Sequence, residues 1–119
     1  MNTLPNYKNA IIPDEKFINY ALDFTKSPNK AEAFKSVLGY TKTNANKLID
    51  EIYANIGFYE AISKGNNGYG ELYEVILKLK GANGNYANVL TSWIVENGKN
   101  YPKLTSSYIT KKKLRGEYK

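Results

Sequence analysis

Residues 72–108 read LYEVILKLKGANGNYANVLTSWIVENGKNYPKLTSSY, and this stretch decides the fold. Apolar and polar side chains alternate from 72 to 80, which is the two-residue period of a strand with one buried face. A comparable run follows at 86–96, and Asn83-Gly84 between the two runs is a strong hairpin-turn signal. A third run, at 102–110, places hydroxyl side chains on both faces. We therefore predict an antiparallel meander of strands at 72–80, 86–96 and 102–110.

The residues before 72 have helical spacing instead. Helices are predicted from 14 to 24, from 29 or 30 to 38, and from 44 to 57 or, in broken form, to 62. Gly39 suits a helix C-cap and Thr43 a helix N-cap. The segment 63–70 is rich in Gly and Asn and is predicted to be a flexible loop.

The predicted fold class is α+β, with N-terminal helices packed on one face of a small antiparallel β-sheet. We predict a single domain over residues 1–110, followed by a basic tail at 111–119. The helices are expected to cover the face that carries Tyr73, Val75, Leu77, Leu79, Val89, Trp93 and Val95. Trp93 is therefore expected to be buried.

Composition excludes several kinds of chemistry. The 119 residues include neither Cys nor His, so disulfides, thiolate nucleophiles and Ser-His-Asp triads are excluded. The acidic residues are scattered without ligand spacing, and we predict no metal and no cofactor. No apolar run is long enough for a membrane span, and no signal peptide is expected at the polar N-terminus.

A net charge of +6 and a pI near 9.4 favour an anionic partner. The sheet face away from the helices would offer an open basic platform for an extended polyanion, the alternative being an ordinary solvated face. The predicted RNA-binding residues are Lys78, Lys80, Lys103, Lys111, Lys112, Lys113 and Arg115.

Chemistry that needs neither metal nor His remains possible. RNA can be cleaved by its own 2′-hydroxyl when a protein supplies cations for the phosphate and a group that moves protons. The candidates for these roles are Lys26, Lys30, Lys103, Thr105, Ser107, Tyr108 and Arg115. Thr105 and Ser107, two residues apart, are expected to share one face of a regular strand. Tyr108 would then point to the other face unless a bulge intervenes.

Several short motifs stand in a fixed order over residues 4–110. They are KFINYAL at 16–22, KAEAF at 30–34, GANG at 81–84, VLTSWI at 89–94 and PKLTSSY at 102–108. Together they resemble a small bacterial and phage domain family of polymorphic toxin systems. That family is similar to the barnase–EndoU–colicin–RelE group of ribonuclease folds, the BECR fold. Its members place helices on an antiparallel sheet and include metal-independent ribonucleases that act on tRNA.

The resemblance implies that Lys30 and the stretch from Thr105 to Tyr108 form the catalytic site. Two features depart from the group. The chain has no His, which barnase-like and EndoU-like members use, and Ile109 replaces the usual Pro after the final Tyr. RelE-like members carry out the reaction with Lys, Arg and Tyr.

The function predicted is therefore a metal-independent ribonuclease toxin that cleaves tRNA or another structured RNA. The expected partners are RNA and an acidic immunity or antitoxin protein, as in contact-dependent inhibition. The expected site of action is the cytoplasm, with delivery as the C-terminal domain of a larger secreted toxin as one route. The alternatives are a non-catalytic module that binds nucleic acid or protein, and a phage-type inhibitory protein with a basic binding surface.

Overall fold

The alternating runs form strands, and one further strand precedes them. The computed structural model of the protein describes residues 2–114. Its antiparallel sheet has four strands in the order β1-β2-β3-β4. The strands are β1 (Ala61–Asn66), β2 (Gly70–Lys80), β3 (Tyr86–Glu96) and β4 (Lys103–Ile109). Three helical segments pack against this sheet, so the predicted α+β class is confirmed.

Strand β1 corrects the prediction of a flexible loop over 63–70. The strand was missed because it is an edge strand with exposed residues on both faces from Ser63 onward, and it therefore lacks an apolar alternation. Gly65 and Asn66 lie within β1 and Gly70 begins β2, so the connection between the strands is only Asn67, Gly68 and Tyr69. There, Asn67 Oδ1 accepts hydrogen bonds from the backbone N–H groups of Tyr69 at 2.9 Å and Gly70 at 3.2 Å.

The helical segments are shorter and less regular than predicted. The first is a π-helical turn at Phe17–Ala21. The second is α1 (Pro28–Ala33), which a π-helical turn at Phe34–Leu38 continues. Gly39 ends this segment in the left-handed conformation, with φ at 72°, and the predicted C-cap is confirmed.

The third helix is α2 (Ala45–Asn55), and it starts from a cap that differs from the predicted one. Thr41, not Thr43, caps the turn that leads into α2. Its side-chain oxygen accepts from the Thr43 N–H at 3.4 Å, and its own N–H donates to Asn44 Oδ1 at 2.8 Å. The capping box thus begins two residues earlier than the apolar periodicity suggests.

The core lies between the helical segments and one sheet face. Trp93 is fully buried there, as predicted, together with Val75, Leu77, Leu79 and Val89. The Trp93 indole N–H donates to Thr91 Oγ1 at 2.8 Å, and the Thr91 hydroxyl donates to the Val75 carbonyl at 2.7 Å. Every polar atom of this buried group therefore has a partner, which a core tryptophan needs.

The opposite sheet face is not an open platform along its whole length. Ile76 and Leu90 are buried on this face, although neither belongs to the core between sheet and helices. The exposed lysines Lys78 and Lys80 lie at one end of it, near the β2–β3 hairpin. An extended polyanion would therefore meet an apolar centre rather than a continuous basic surface.

A segment of the N-terminal lead-in covers part of the free edge of β4. The Ile11 N–H donates to the Pro102 carbonyl, and the Leu104 N–H donates to the Ile11 carbonyl, both at 2.9 Å. This parallel bridge joins Ile11 to Lys103 at the start of β4. Beyond Leu104, β4 faces α1 and the turn at Phe17–Ala21.

Candidate active site

A β-bulge in β4 sets the direction of the hydroxyl side chains. Ser106 pairs with Ser92, but the next residue of β3, Trp93, pairs with Leu104, so Thr105 is an extra residue. Leu104 and Ser107 consequently both face the core, although they are three residues apart. Simple alternation, which assigned one face to Thr105 and Ser107, does not hold through this bulge.

The bulge opens a cavity of about 340 Å³ between β4 and the helical segments. We call it the hydroxyl cavity, and its lining residues are Lys16, Tyr20, Ala21, Ser27, Lys30, Thr105, Ser106 and Ser107. The structure thus brings together Lys30, Thr105 and Ser107, three of the four residues predicted to be catalytic. Lys16, Tyr20 and Ser27 were not predicted to belong to this site, and Ser106 was predicted only as part of the stretch from Thr105 to Tyr108.

The hydroxyl cavity is cationic. Its lining includes Lys16 and Lys30 and no acidic residue. The Lys26 ammonium lies close to the cavity as well, since its Nζ is 5.8 Å from the ring centroid of Tyr20, a lining residue. The Lys16 Nζ is 5.9 Å from the same centroid. Within residues 2–114, none of these three lysines forms an ion pair with a carboxylate. The arrangement suits an anionic ligand.

The turn that carries Lys26 is held by Asp23. Asp23 Oδ1 accepts from the backbone N–H groups of Thr25 at 2.7 Å and Lys26 at 3.0 Å, and Oδ2 pairs with Lys42 Nζ at 2.8 Å. The hydrogen bond from the Lys42 ammonium, followed by those from the two backbone N–H groups, lowers the pKa of Asp23 to about 2. This carboxylate is therefore paired with Lys42 and does not neutralise the lysines at the hydroxyl cavity.

Ser107 forms a buried part of the hydroxyl cavity. The residue is 2% exposed, and in the described part of the chain its Oγ has no hydrogen-bond partner. Its cross-strand neighbour Thr91 is equally buried, yet the Thr91 hydroxyl makes two hydrogen bonds. A buried hydroxyl without a partner is uncommon and requires an explanation, such as a ligand that supplies the missing bond.

Tyr108, the fourth predicted catalytic residue, lies at a neighbouring cavity. It pairs with Leu90, on the sheet face away from the core, but β4 is an edge strand and α1 lies alongside it. The Lys30 Nζ is 5.5 Å from the Tyr108 ring centroid. This second cavity, which we call the Tyr108 cavity, measures about 320 Å³ and is lined by Asn29, Lys30, Ala33, Tyr108 and Ile109. Lys30 therefore lines both cavities.

Comparison with known proteins gives one match. The profile of DUF6883, described as a domain of unknown function, matches residues 3–111. The chain belongs to the DUF6883 family. The matched range contains all residues that line the two cavities. No curated protein and no solved structure matches this chain.

The predicted RNA-binding residues of this DUF6883 domain do not gather at the hydroxyl cavity. Lys78 lies near the β2–β3 hairpin, with its Nζ 6.0 Å from the Tyr86 ring centroid. Lys103 pairs with Ile94 beyond the bulge. Lys111, Lys112 and Lys113 are exposed after the end of β4. Arg115 lies outside the described residues, as does the rest of the predicted tail after residue 114.

Among residues 2–114, no group of three or more acidic side chains is placed to hold a metal ion. None of the helices in that range has the length and apolar character that a membrane crossing requires.

The residues that sequence reasoning missed carried a partial signal. Lys16 and Tyr20 are four residues apart, and such a pair shares one side of a helical segment. That spacing was visible, but nothing in the sequence placed the segment beside β4. Ser27 gave no local signal, because its contribution depends on the packing of α1 beside β4.

Proposed function

We propose that this DUF6883 domain is a metal-independent endoribonuclease whose active site is the hydroxyl cavity. One observation carries the proposal: the buried Ser107 hydroxyl, which has no hydrogen-bond partner among residues 2–114, lines a cavity whose charged residues are all lysines. Phosphate oxygens accept hydrogen bonds from hydroxyl groups and are attracted by ammonium groups. A phosphodiester would therefore supply the bond that Ser107 lacks and the charge that the lysines lack.

The reaction we propose is transesterification within the RNA. The 2′-oxygen of a ribose forms a bond to the adjacent phosphorus as the bond from phosphorus to the 5′-oxygen breaks. The 2′-hydroxyl loses its proton and the leaving 5′-oxygen gains one, so the products are a 2′,3′-cyclic phosphate and a 5′-hydroxyl. The nucleophile belongs to the substrate. The protein then has to stabilise the charge on the phosphate and to move protons.

Lys30 is the residue we assign to charge stabilisation, because it lies between the two cavities. Lys16 would add a second positive charge within the hydroxyl cavity. Thr105 and Ser107 would donate hydrogen bonds to phosphate oxygens. Preorganised donors of this kind contribute a factor of about 10²–10³ each to the rate.

The test is cleavage of labelled RNA by purified protein in the presence of EDTA. Wild-type protein should remain active, and Lys30→Ala and Thr105→Ala should each lower the rate by about 10²–10³. Lys47→Ala is a matched control: Lys47 is exposed on α2, which packs on β2, and it lines neither cavity. Loss of cleavage in EDTA, or full activity of both cavity variants, would refute the proposal.

A second candidate function is binding of RNA without cleavage. It is favoured by the composition of the hydroxyl cavity, whose described lining contains neither a carboxylate nor a His. These are the most frequent groups in proton transfer. Tight RNA binding by a protein that yields no cyclic phosphate product would select this candidate.

The biological setting we propose follows from the resemblance described above. It is a toxin that acts in the cytoplasm, is delivered as the C-terminal domain of a larger secreted protein and is neutralised by an acidic immunity protein. Induced expression should then arrest growth, and the Lys30→Ala variant should not. Harmless expression of wild-type protein that cleaves RNA in vitro would reject the toxin role and leave the nuclease activity standing.

A further inference from the structure

The Tyr108 cavity differs in chemistry from the hydroxyl cavity beside it. Its lining residues are the apolar Ala33 and Ile109, the aromatic Tyr108, and the polar Asn29 and Lys30. A concave site with mostly apolar walls and a few polar groups is typical of a site for an organic ligand. An RNA phosphate carries no group that such walls would favour.

Asn29 supplies the polar recognition group. It is exposed on α1, and no side-chain hydrogen bond within residues 2–114 holds its amide. An Asn side chain offers a donor and an acceptor side by side, which matches the edge of a nucleobase. An amide held by the protein would not be available for this purpose.

We propose that the Tyr108 cavity binds the nucleobase of the nucleotide whose phosphate enters the hydroxyl cavity. Lys30 lines both cavities, so a ligand that fills both would be a single nucleotide unit with its phosphate and its base on either side of this residue. The inference rests on the proposed function only in placing a phosphate in the hydroxyl cavity. It does not require that the phosphate be cleaved.

This inference gives Tyr108 a role different from the predicted catalytic one. The Lys30 ammonium lies 5.5 Å from the centroid of the Tyr108 ring, so the contact that joins the two residues uses the ring face. The ring is also the part that a base can stack on. Tyr108 would therefore act through its ring, and its hydroxyl would not be needed.

The experiment measures binding of the nucleoside 3′-monophosphates of the four bases and of inorganic phosphate by calorimetry. A stacked base contributes about 1–3 kcal/mol, so a favourable nucleotide should bind about 5- to 150-fold more tightly than inorganic phosphate. The four nucleotides should differ in affinity, because the Asn29 amide matches only some base edges.

Variants separate the base from the phosphate. Tyr108→Phe should keep the advantage of nucleotide over phosphate, and Tyr108→Ala should lose it. Asn29→Ala should remove the preference among bases while leaving affinity for inorganic phosphate unchanged. Asn46→Ala, an exposed Asn on α2, is the matched control and should change neither. Asn29→Ala also keeps the test decisive if Tyr108→Ala does not fold.

Two outcomes would overturn the inference. One is equal affinity for inorganic phosphate and all four nucleotides. The other is a preference among bases that Asn29→Ala and Tyr108→Ala both leave intact, since the base would then bind elsewhere. Nucleotide binding with the expected preference in a protein that does not cleave RNA would support the base site and reject the nuclease. RNA cleavage by a protein that binds nucleotides no more tightly than inorganic phosphate would support the nuclease and reject the base site.

Discussion

Replacing Ser107 with Ala tests whether the Ser107 hydroxyl stabilises the fold or binds a ligand. In the described structure the Ser107 Oγ is buried and has no partner. Burying such a hydroxyl costs about 1–3 kcal/mol in mutational data, and this cost disappears in the variant. Removing one buried heavy atom costs about 1 kcal/mol in lost packing. Ser107→Ala should therefore leave the free energy of unfolding unchanged or raise it by up to about 2 kcal/mol.

Thr91→Val is the matched control on the neighbouring strand. Thr91 pairs with Ser107 and is equally buried, but its hydroxyl accepts from Trp93 Nε1 and donates to the Val75 carbonyl. The substitution leaves the indole N–H without its partner and removes a donor from the carbonyl. Since a buried group left unsatisfied costs about 1–3 kcal/mol, Thr91→Val should lower the free energy of unfolding by about 2 kcal/mol or more. Thr91→Val should thus lower the free energy of unfolding, whereas Ser107→Ala should leave it unchanged or raise it.

The assay is urea unfolding followed by fluorescence of Trp93, the one tryptophan of the chain. It is run with and without inorganic phosphate, because a ligand of the folded state raises its stability. A hydrogen bond to a charged group contributes about 1.5–3 kcal/mol, so Ser107→Ala should weaken phosphate binding by roughly 10- to 150-fold. If the variant loses more than about 1 kcal/mol without phosphate, the hydroxyl has a structural partner in solution. If phosphate stabilises the variant as well as wild type, Ser107 does not contact the ligand. Either result would refute the reasoning.

Three further predictions concern pH, salt and the core. The pKa of Asp23 is about 2 in the folded protein against 3.8 for the free side chain, so ionisation of Asp23 stabilises the fold. This contribution is fully present above pH 3.8 and should be lost as the pH falls towards 2, which acid unfolding measures. The contribution should be much smaller in Lys42→Met, because Lys42 is the main cause of the low pKa. Because three lysines lie at the hydroxyl cavity, a plot of log affinity for single-stranded RNA against log salt concentration should have a slope of roughly −2. Lys30→Ala should make this slope shallower by about 0.7. An affinity that does not change with salt would contradict the prediction. Trp93→Ala should lower the free energy of unfolding by about 3–5 kcal/mol in calorimetric or chemical denaturation, and a loss below about 1 kcal/mol would show that the ring is not a core element.

The parts of the fold that repeat a local pattern were predictable from sequence. Strand β3 begins and ends where the alternation does, and Gly39 marks the end of its helical segment. The parts that failed lack such a pattern. Strand β1 is held by pairing with β2 and not by an apolar face of its own, so its residues resemble a loop. The cap before α2 was misplaced because Thr41 and Thr43 both suit a cap, and only the position of Asn44 decides between them.

The candidate site was also predictable only where it depends on a local sequence pattern. The types of residue were predictable, because a basic chain without His or Cys leaves Lys, Tyr and hydroxyl groups for phosphate chemistry. Their arrangement was not, because it depends on the extra residue at Thr105. In a regular strand Leu104 and Ser107 would face opposite sides, and burying Leu104 against the core would turn Ser107 outward. The bulge lets both face inward, which places a hydroxyl without a partner beside Lys30. Deleting Thr105 should therefore give a regular strand that stays paired with β3, in which Leu104 and Ser107 are two residues apart and still share the core face. The deletion removes the bulge and the Thr105 side chain from the hydroxyl cavity while Ser107 stays buried, so a protein that loses phosphate binding while keeping its sheet would identify the bulge as the feature that forms the site.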